Sequence, residues 1–488
     1  MWWTISPPGW IATILTIIDF GIRIVALGVV PGNRRPTTAM AWLLAIFFLP
    51  IPGIIIFALF GNNRLNESRV RRQAAINRAV RENTRELEAE GSSYAGPEWV
   101  LSAAELNRRL GSLPTLDGNR VTLQRDYRQS IKDMTEAVRA ADKHVHVEFY
   151  IMSYDDETRE FFTALAEAAA RGVTVRLLFD HIATLRIHGY RQLLRQLKAS
   201  EIQWHRMLPI QPSRGNWRRP DLRNHRKLMV VDGRIGFTGS QNLIEPGYRK
   251  RANHRIGRRW VELMARLEGP VVDELNVVFA TDWNAETDEN LERELSLYEW
   301  ESEPGGVTCQ VVPSGPGFTT ENNLRLFTSL IYSASERISI TSPYFVPDDS
   351  LLYAITTAAQ RGVQVELFVS EKGDQFLVDH AQRSYYEVLL EAGIRIYQYP
   401  KPLVLHAKHF TVDDEVAVLG SSNMDMRSFS LNLEVSLMMF GGGIVEQMRR
   451  VEDTYRNLSK ELHLEDWRNR PLPERYVDNV ARLTATLQ

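Results

Sequence analysis

Residues 225–242 have the sequence HRKLMVVDGRIGFTGSQN, and residues 406–423 have the sequence HAKHFTVDDEVAVLGSSN. Both follow the pattern His-x-Lys-x4-Asp-x6-Gly-Ser-x-Asn, and each matched position in the second stretch lies 181 residues after its counterpart. A pattern of this length, kept to the residue in two places, indicates an internal duplication. The chain is therefore predicted to consist of two related halves, each with one copy of a chemically active motif.

The duplication extends beyond the motifs. The sequence RGVTVRL at 171–177 recurs as RGVQVEL at 361–367, each time after an Ala-rich stretch typical of a helix. Each half is predicted to run strand, helix, strand, helix, strand and then the motif. Strands that alternate with helices favour an α/β fold with mainly parallel sheets. The alternative is two independent α/β domains with unrelated sites, but each half alone supplies only half of a plausible active site.

The residue types of the motif suit chemistry at a phosphodiester. Side chains alternate between the faces of a strand, so His225 and Lys227 are predicted to project from the same side. An imidazole can attack phosphorus while an ammonium group neutralises a non-bridging oxygen. The second copy contributes His406 and Lys408, so one histidine can act as the nucleophile and the other as proton donor to the leaving alkoxide.

Polar residues after the next strand can assist. Ser240 and Asn242 in the first half, and Ser421 and Asn423 in the second, can donate hydrogen bonds to the phosphoryl oxygens. The paired histidines lie among lysines rather than carboxylates or cysteines, and positive charge opposes binding of a divalent ion. We therefore expect no metal and no cofactor.

The two motifs resemble those of the phospholipase D superfamily, whose members use one His-Lys-Asp motif from each half. The longer context resembles bacterial cardiolipin synthases in particular, over the stretches NHRK (224–227), RWVE (259–262), LHAK (405–408), GSSNMDMRSF (420–429) and NLE (432–434). The resemblance covers nearly the whole chain, including its apolar N-terminus. It implies an α/β fold in which two phospholipase D-like repeats share one active site.

The resemblance also implies roles for four carboxylates. Asp232 and Asp413 would brace the motifs rather than contact phosphorus, and an acidic residue on the strand after each motif would orient a histidine. These residues are Glu262 and Glu434. A carboxylate on one ring nitrogen fixes the tautomer and raises the basicity of the other nitrogen. The resemblance further implies a covalent phosphatidyl-histidine intermediate.

Composition and hydropathy indicate the class of protein and its domain organisation. The formal net charge of −2 argues against a dedicated nucleic-acid binder, and Cys309, the only cysteine, excludes an internal disulfide. We predict a membrane anchor at 1–60, a basic juxtamembrane helix and connector at 61–120, a first phospholipase D-like domain at 121–305 and a second at 306–488.

The N-terminus contains two apolar runs. Residues 39–60 are apolar apart from two prolines and a glycine at 50–53, and residues 10–30 are apolar apart from Asp19 and Arg23. Their lengths predict an N-terminal transmembrane helical hairpin. An interfacial helix for the earlier run and a re-entrant hairpin for the later one are the alternatives.

Basic residues near the apolar runs and the first motif indicate how the protein is oriented in a membrane and what it binds. The stretch after the second run has one acid, Glu67, among the arginines Arg64, Arg69, Arg71, Arg72, Arg78 and Arg81. This bias predicts a cytoplasmic catalytic part that attracts anionic lipid, although a solvated spacer helix is the alternative. Two more basic stretches flank the first motif and suit lipid headgroups or nucleic acid equally: Arg214, Trp217, Arg218, Arg219 and Arg223, and Arg249, Lys250, Arg251, Arg255, Arg258 and Arg259. The predicted spans favour lipid.

These patterns and the resemblance together predict a multi-pass phosphatidyltransferase of the cell membrane that joins two phosphatidylglycerols into cardiolipin and releases glycerol. Its partners would be these lipids and an anionic membrane surface, without nucleic acid. The alternatives are a phospholipase D-type hydrolase and a membrane-tethered nuclease. The two motifs are symmetric, so the sequence leaves open which histidine is the nucleophile.

Overall fold

The computed structural model describes residues 9–32, 34, 36–61, 67–83, 94–210, 219–287, 289–291, 305–318 and 320–485. The chain divides into two compact units, Met1–Arg64 and Leu65–Gln488.

The smaller unit contains three helices: α1 (Gly9–Val29), α2 (Pro36–Phe48) and α3 (Pro50–Phe60). Pro50 has no backbone N–H and cannot continue α2, so the chain turns at Leu49. Helix α3 then packs against α2, with Gly53 so close to Ala45 that a Cβ at this glycine would lie 2.8 Å from the Ala45 carbonyl oxygen. The apolar run at 39–60 therefore forms two short helices instead of one long one.

The predicted transmembrane hairpin is wrong, because no helix within the described residues is long and apolar enough to cross a membrane. Helices α2 and α3 have 13 and 11 residues, which correspond to about 20 and 17 Å against a hydrocarbon core of about 30 Å. Helix α1 is longer but carries the ion pair between Asp19 and Arg23, 2.8 Å apart, among its apolar residues. The multi-pass topology predicted from this hairpin has no support among the described residues, and the cytoplasmic orientation of the catalytic part stays a prediction.

The larger unit is a long sheet covered by helices. Its helices are α4 (Glu67–Asn83), α5 (Glu98–Gly111), α6 (Tyr127–Arg139), α7 (Arg159–Ala170), α8 (His181–Leu185), α9 (Tyr190–Lys198), α10 (Arg251–Ile256), α11 (Val271–Thr287), α12 (Asn322–Ser333), α13 (Asp349–Gln360), α14 (Phe376–Arg383), α15 (Tyr386–Glu391), α16 (Met426–Ser430), α17 (Ile444–Leu458), α18 (Leu464–Arg468) and α19 (Leu472–Arg482). Its strands are β1 (Leu116–Gln124), β2 (His144–Phe149), β3 (Thr174–Asp180), β4 (Gln203–Met207), β5 (Arg223–Asn224), β6 (Lys227–Val231), β7 (Ile235–Gly239), β8 (Trp260–Val261), β9 (Met264–Glu268), β10 (Val307–Ser314), β11 (Arg337–Thr341), β12 (Phe345–Val346), β13 (Gln364–Ser370), β14 (Arg395–Tyr399), β15 (Val404–Leu405), β16 (His409–Val412), β17 (Val416–Gly420), β18 (Met424–Asp425), β19 (Asn432–Phe440) and β20 (Lys460–Leu462).

The predicted order of elements is confirmed in both halves. The first half runs β2, α7, β3, α8 and α9, β4 and then the motif, and the second runs β11, α13, β13, α14 and α15, β14 and then the motif. The motif itself forms a hairpin, β6–β7 in the first half and β16–β17 in the second. The duplication in the sequence is thus a duplication of structure.

The prediction of mainly parallel sheets is wrong. Within the described residues one 16-stranded sheet has the order β20-β14-β13-β11-β16-β17-β19-β10-β1-β9-β7-β6-β2-β3-β4, with β5 paired to β19 beside this path. The parallel pairs in it are β2–β3, β3–β4, β11–β13, β13–β14 and β5–β19. The remaining pairs are antiparallel. They include the two motif hairpins, β6–β7 and β16–β17, whose tight turns can only join antiparallel strands.

The two halves share one sheet and one interior. Strands β19, β10, β1 and β9 join them, and one core cluster contains both Leu228 of the first motif and Leu437 of the second half. The sheet continues through β1 and β10, on either side of the predicted boundary between 305 and 306. The bounds 121–305 and 306–488 for the two domains stay a prediction.

The segment predicted as a basic helix and polar connector is partly integral to the catalytic unit. Arg69 of α4 is buried and pairs with Asp282 at 3.2 Å and Glu286 at 2.5 Å, so it is not available to lipid. Helix α5 carries Val100 at helical spacing with other small apolar residues and buries that face in the core of the second half. Arg64 and residues 84–93 of the predicted connector lie outside the described residues.

Candidate active site

Each motif begins against the other half of the molecule. Strand β5, just before the first histidine, pairs in parallel with the start of β19, and β15, just before the second, pairs with β8. As a result, the His225 backbone N–H donates to the Leu433 carbonyl at 2.8 Å, and that of His406 donates to the Val261 carbonyl at 2.7 Å. The backbone thus brings both histidines to the junction of the two halves.

The histidine–carboxylate pairs also cross between the halves. Nδ1 of His225 lies 3.0 Å from the carboxylate of Glu434, and Nδ1 of His406 lies 2.8 Å from that of Glu262. Because an ionised carboxylate only accepts hydrogen bonds, each pair keeps the proton on Nδ1 and the lone pair on Nε2. The sequence did not indicate which glutamate serves which histidine, since each glutamate follows the motif of its own half.

The lysines lie beside their histidines, but not through the predicted alternation of a strand, because β6 begins only at Lys227 and β16 only at His409. Nζ of Lys227 donates to the His225 carbonyl, and Nζ of Lys408 to the His406 carbonyl, both at 2.5 Å. The halves differ in how the lysine meets the ring, because Nζ of Lys408 also lies 3.0 Å from Nδ1 and 3.2 Å from Nε2 of His406. The two ammonium groups are therefore held where a phosphoryl oxygen between the histidines would reach them.

Two tyrosines at this site were missed in the sequence. The Tyr150 ring stands edge-on to that of His225, with centroids 4.7 Å apart, and lies 5.3 Å from Nζ of Lys227. The Tyr344 ring stands edge-on to that of His406 at 6.1 Å. The available signal was an aromatic residue shortly after the first strand of each repeat: Tyr150 directly follows β2, and Tyr344 is the third residue after β11.

Burial sets the proton affinities of these groups. Burial lowers the pKa of His225 well below its usual value, and the nearby Lys227 and Lys408 lower it further. Burial also lowers the pKa of His406, against the opposing effect of Glu262. The pKa of Lys227 falls to about 7 and that of Lys408 to about 8, mainly through burial. At neutral pH, both imidazoles are therefore poised as neutral bases next to lysines that are close to losing a proton.

The glutamate beside His225 is also affected by burial, which raises the pKa of Glu434 to about 7 while the charge of Lys227 opposes that rise. Glu434 accepts further hydrogen bonds from Ser421 Oγ at 2.5 Å and Asn432 Nδ2 at 3.2 Å. These donors help to keep its carboxylate ionised in a buried site.

The motif aspartates hold the turns that precede the first strand of each repeat. The Asp232 carboxylate accepts from the backbone N–H groups of residues 142, 143 and 144 at 2.7 to 2.8 Å. The Asp413 carboxylate accepts from those of residues 335, 336 and 337 at 2.8 to 2.9 Å. The carboxylate oxygens of each aspartate thus accept hydrogen bonds from the backbone.

Three of the four polar residues predicted to bind substrate, Ser240, Ser421 and Asn242, have protein partners for their side chains. Ser240 Oγ accepts from the Leu263 N–H at 3.0 Å, and Ser421 Oγ accepts from the Val435 N–H at 3.0 Å, so both serines tie the motif to the next strand. Asn242 donates from Nδ2 to the Tyr248 hydroxyl at 2.9 Å and accepts from the Ile151 N–H at 3.1 Å. Asn423 differs, because its buried Oδ1 has no hydrogen-bond partner among the described residues. A role of these residues toward phosphate stays a prediction.

The described residues contain no cluster of three or more His, Cys, Asp or Glu side chains that could hold a metal ion. A cavity of about 370 Å³ lies beside the second half of the site. Its wall includes Asp374, whose carboxylate accepts from the hydroxyl of Tyr344 at 2.8 Å. Because Tyr344 stands against His406, this cavity adjoins the catalytic groups.

The basic stretches near the first motif are only partly available for lipid. Arg214, Trp217 and Arg218 lie outside the described residues. Arg219 forms an ion pair with Asp221 at 2.6 Å, and Arg223 pairs with the buried Asp180 at 3.2 Å. In the second basic stretch, residues 249–259, Arg258 lines both the 370 Å³ cavity and a neighbouring cavity of about 500 Å³.

A duplicated α/β unit with crossed histidine–glutamate pairs and one lysine per motif is the architecture of a phospholipase D-like enzyme. A family model described as "Cardiolipin synthase, PLD-like domain" matches residues 134–283 and 327–454, and one described as "Phospholipase_D-nuclease N-terminal" matches residues 10–62.

Curated relatives agree with the family models. Cardiolipin synthase A of Pectobacterium carotovorum is 34% identical over 462 residues, which cover 93% of this chain and 94% of the relative. Cardiolipin synthase A of Serratia proteamaculans is 34% identical over 468 residues, with the same coverage. The chain therefore belongs to the cardiolipin synthase family of the phospholipase D superfamily, which makes it a phosphatidyltransferase that acts on phospholipids in association with membranes.

Among solved structures, the crystal structure of phosphatidylserine synthase from Haemophilus influenzae superposes with a TM-score of 0.60 at 16% identity, covering 79% of this chain and 99% of that chain. At this identity the likeness concerns the fold alone.

Proposed function

We propose that this phosphatidyltransferase joins two phosphatidylglycerol molecules into cardiolipin and releases glycerol, with His225 as the nucleophile and His406 as the general acid and base. The observation that carries the proposal is the pair of crossed contacts, His225 with Glu434 at 3.0 Å and His406 with Glu262 at 2.8 Å. Each contact leaves Nε2 as the reactive nitrogen of its ring, one for phosphorus and one for the leaving oxygen.

In the first step, Nε2 of His225 forms a bond to the phosphorus of one phosphatidylglycerol. The bond between phosphorus and the glycerol oxygen breaks, and that oxygen takes the Nε2 proton of His406, so glycerol leaves. Lys227 and Lys408 neutralise charge that develops on the non-bridging oxygens. The phosphatidyl group is now held on His225, and His406 is neutral.

In the second step, Nε2 of His406 removes the proton from a glycerol hydroxyl of a second phosphatidylglycerol. The freed oxygen bonds to phosphorus, and the bond between phosphorus and His225 breaks. The product is cardiolipin, and both histidines return to their starting protonation states. One phosphodiester has been exchanged for another, so the reaction needs no external energy source.

The charges of the site favour a proton on His406 when substrate binds. Two ammonium groups and two ionised glutamates, Glu262 and Glu434, sum to zero charge. A bound phosphodiester adds one negative charge, which favours protonation of a nearby base. His406 is the better base, because burial and both lysines lower the pKa of His225 well below its usual value whereas Glu262 opposes the fall for His406.

We further propose that the enzyme works at the surface of the cell membrane, where phosphatidylglycerol and cardiolipin reside. These lipids are anionic, and Arg258 at the two cavities beside the site suits a phosphate group.

The test is an analysis of products from vesicles of phosphatidylglycerol labelled in both the acyl chains and the headgroup glycerol. We expect one glycerol released for each cardiolipin formed, and suppression of net synthesis by added unlabelled glycerol, because the exchange is reversible. Phosphatidic acid as the main product, with no effect of glycerol, would indicate a hydrolase instead. A His225→Ala protein gives the background without transfer.

A further inference from the structure

Helix α19 (Leu472–Arg482) buries the charged Asp478 together with the small Ala481, while several of its large apolar residues face outward. Its buried side carries Asp478, which is 1% exposed. Its outward side carries Leu472 and Tyr476, and Leu483 follows at its end, with exposures of 75%, 71% and 82%. An amphipathic surface helix normally turns its apolar stripe to the core, so this arrangement calls for a partner outside the described fold.

Ion pairs fix the helix in this orientation. The Asp478 carboxylate accepts from Nη1 of Arg470 and from Nδ1 of His380, both at 2.6 Å. His380 belongs to α14, so the pairs hold α19 to that helix. A buried charge with two donors resists rotation of the helix, because rotation would leave the carboxylate unpaired. These ion pairs therefore keep the apolar face of α19 directed outward in the folded catalytic unit.

The exposed apolar side chains form one stripe. Positions 472, 476, 480 and 483 fall within about 80° of the helix circumference at 3.6 residues per turn. The start of α14, against which α19 packs, adds two more exposed apolar residues. The docking patch is defined here as Phe376, Leu377, Leu472, Tyr476, Val480 and Leu483.

The charge around the docking patch complements an anionic surface. Arg475 and Arg482 lie on one flank of the stripe, about 60° and 80° from Leu472 around the helix, and the Arg482 guanidinium also lies 4.7 Å from the centre of the Tyr385 ring. The acidic Asp478 is on the opposite, buried side. An apolar stripe with arginines on its flank is the pattern of a helix that lies in the interface of a bilayer containing anionic lipid.

The docking patch also adjoins the route to the catalytic groups. Phe376 belongs to the patch and also lines the cavity of about 370 Å³, together with Asp374. Asp374 accepts a hydrogen bond from Tyr344, which stands against His406. A lipid in a bilayer beneath the patch would thus lie next to a cavity whose wall is linked to His406 through Asp374 and Tyr344.

We infer that the docking patch is the surface through which the catalytic unit contacts an anionic phospholipid bilayer, with α19 lying along the interface. The inference rests on the proposed function, because it assumes that both substrates are bilayer lipids. It adds a named contact surface in the second half, separate from the apolar helices of residues 9–61.

A site-specific fluorescence experiment tests this contact in the full-length protein. Cys309 is fully buried, so a new surface cysteine takes up an environment-sensitive label selectively. We would label Leu472→Cys and, as the matched control, Tyr353→Cys, which replaces an exposed aromatic residue outside the patch. Each labelled protein is mixed with vesicles of phosphatidylglycerol, with vesicles of phosphatidylcholine, and with phosphatidylglycerol vesicles that contain a quencher in the acyl region.

We expect the label at 472 to shift to the blue with phosphatidylglycerol vesicles, to respond less to phosphatidylcholine, and to be quenched from the acyl region. The label at 353 should stay in water in every mixture. Equal responses at the two positions would overturn the inference. A shift at 472 that depends on protein concentration without vesicles would also overturn it and assign the patch to contact between two copies of the chain.

A rate comparison gives an independent readout. The variant with Leu472→Ser, Tyr476→Ser and Leu483→Ser should lose about tenfold or more in its rate on vesicles relative to its rate on dispersed short-chain lipid, because three apolar contacts with the bilayer are removed. A control with Tyr332→Ser, Tyr353→Ser and Leu458→Ser should keep the wild-type ratio. An unchanged ratio in the patch variant would overturn the inference, whereas wild-type cardiolipin synthesis in the same assay would still support the proposed function.

Discussion

Replacement of Glu434 by glutamine tests the crossed arrangement of the site. The amide keeps the size of the side chain, but it does not hold the Nδ1 proton of His225 as an ionised carboxylate does. Loss of the corresponding carboxylate in a catalytic triad lowers kcat by about 10⁴, through the wrong tautomer. We expect a loss of roughly 10³ to 10⁴ for Glu434→Gln, which corresponds to about 4 to 5.5 kcal/mol of transition-state stabilisation.

The same substitution should leave the fold intact or make it more stable. Burial raises the pKa of Glu434 from 4.5 to about 7. The folded state therefore binds this proton more tightly than the unfolded state, and above pH 7 the ionised carboxylate destabilises the fold by about 3 kcal/mol. A neutral amide removes that penalty. We expect the melting temperature at pH 8 to be equal to or above that of the wild type.

The assay follows the two half-reactions separately. Glu434→Gln should slow formation of the covalent adduct on His225, although this glutamate lies in the other half of the chain. The matched variant Glu262→Gln should slow protonation of the leaving group and activation of the acceptor. If Glu434→Gln formed the adduct at the wild-type rate while Glu262→Gln did not, the crossed assignment of carboxylates to histidines would be refuted.

Three further outcomes are expected. The kcat/KM of the free enzyme should pass through a maximum near neutral pH, because Glu434, with a pKa of about 7, must lose its proton while Lys227 and Lys408, with pKa values of about 7 and 8, must keep theirs. The alkaline fall in kcat should lie at higher pH because a bound phosphodiester favours the ammonium forms; profiles that stay flat from pH 6 to 9 would contradict this. EDTA should leave the rate unchanged, and a loss restored by zinc or magnesium would count against the site as described. Asp413→Ala should lower the free energy of unfolding by roughly 3 kcal/mol at pH 7, because three backbone donors lose their acceptor. The pKa of Asp413 is lowered in the fold, so the difference in stability from the wild type should shrink as pH falls through that pKa. A difference that stays the same in acid would show that the Asp413 carboxylate is not its cause.

The duplicated motif allowed the most secure predictions from sequence. Its spacing located His225 and His406 and the lysine two residues after each of them. The order of strands and helices in each repeat followed from local hydrophobic patterns, which are properties of short segments. These features depend on residues close together in the chain.

The wrong predictions, and the pairing that the sequence left open, concern features set by distant parts of the chain. Which glutamate meets which histidine depends on β5 pairing with β19 and β15 pairing with β8, and no local pattern encodes those pairings. The sheet is mostly antiparallel because the motif hairpins and the central strands outnumber the parallel crossovers. In the N-terminal run, Pro50 divides a stretch whose total length alone suggested a membrane span.

The most direct test of the shared site is to trap the covalent intermediate in the His406→Ala protein. A phosphatidyl ester of p-nitrophenol has a leaving group that needs no acid, so the first step should proceed without His406 while the second step lacks its base. We expect mass spectrometry of the digested protein to find about one phosphatidyl group per chain, on His225, and none in the His225→Ala protein. A phosphatidyl group on His406 in the His225→Ala protein, or none in the His406→Ala protein, would contradict a site in which His225 attacks and His406 transfers the proton.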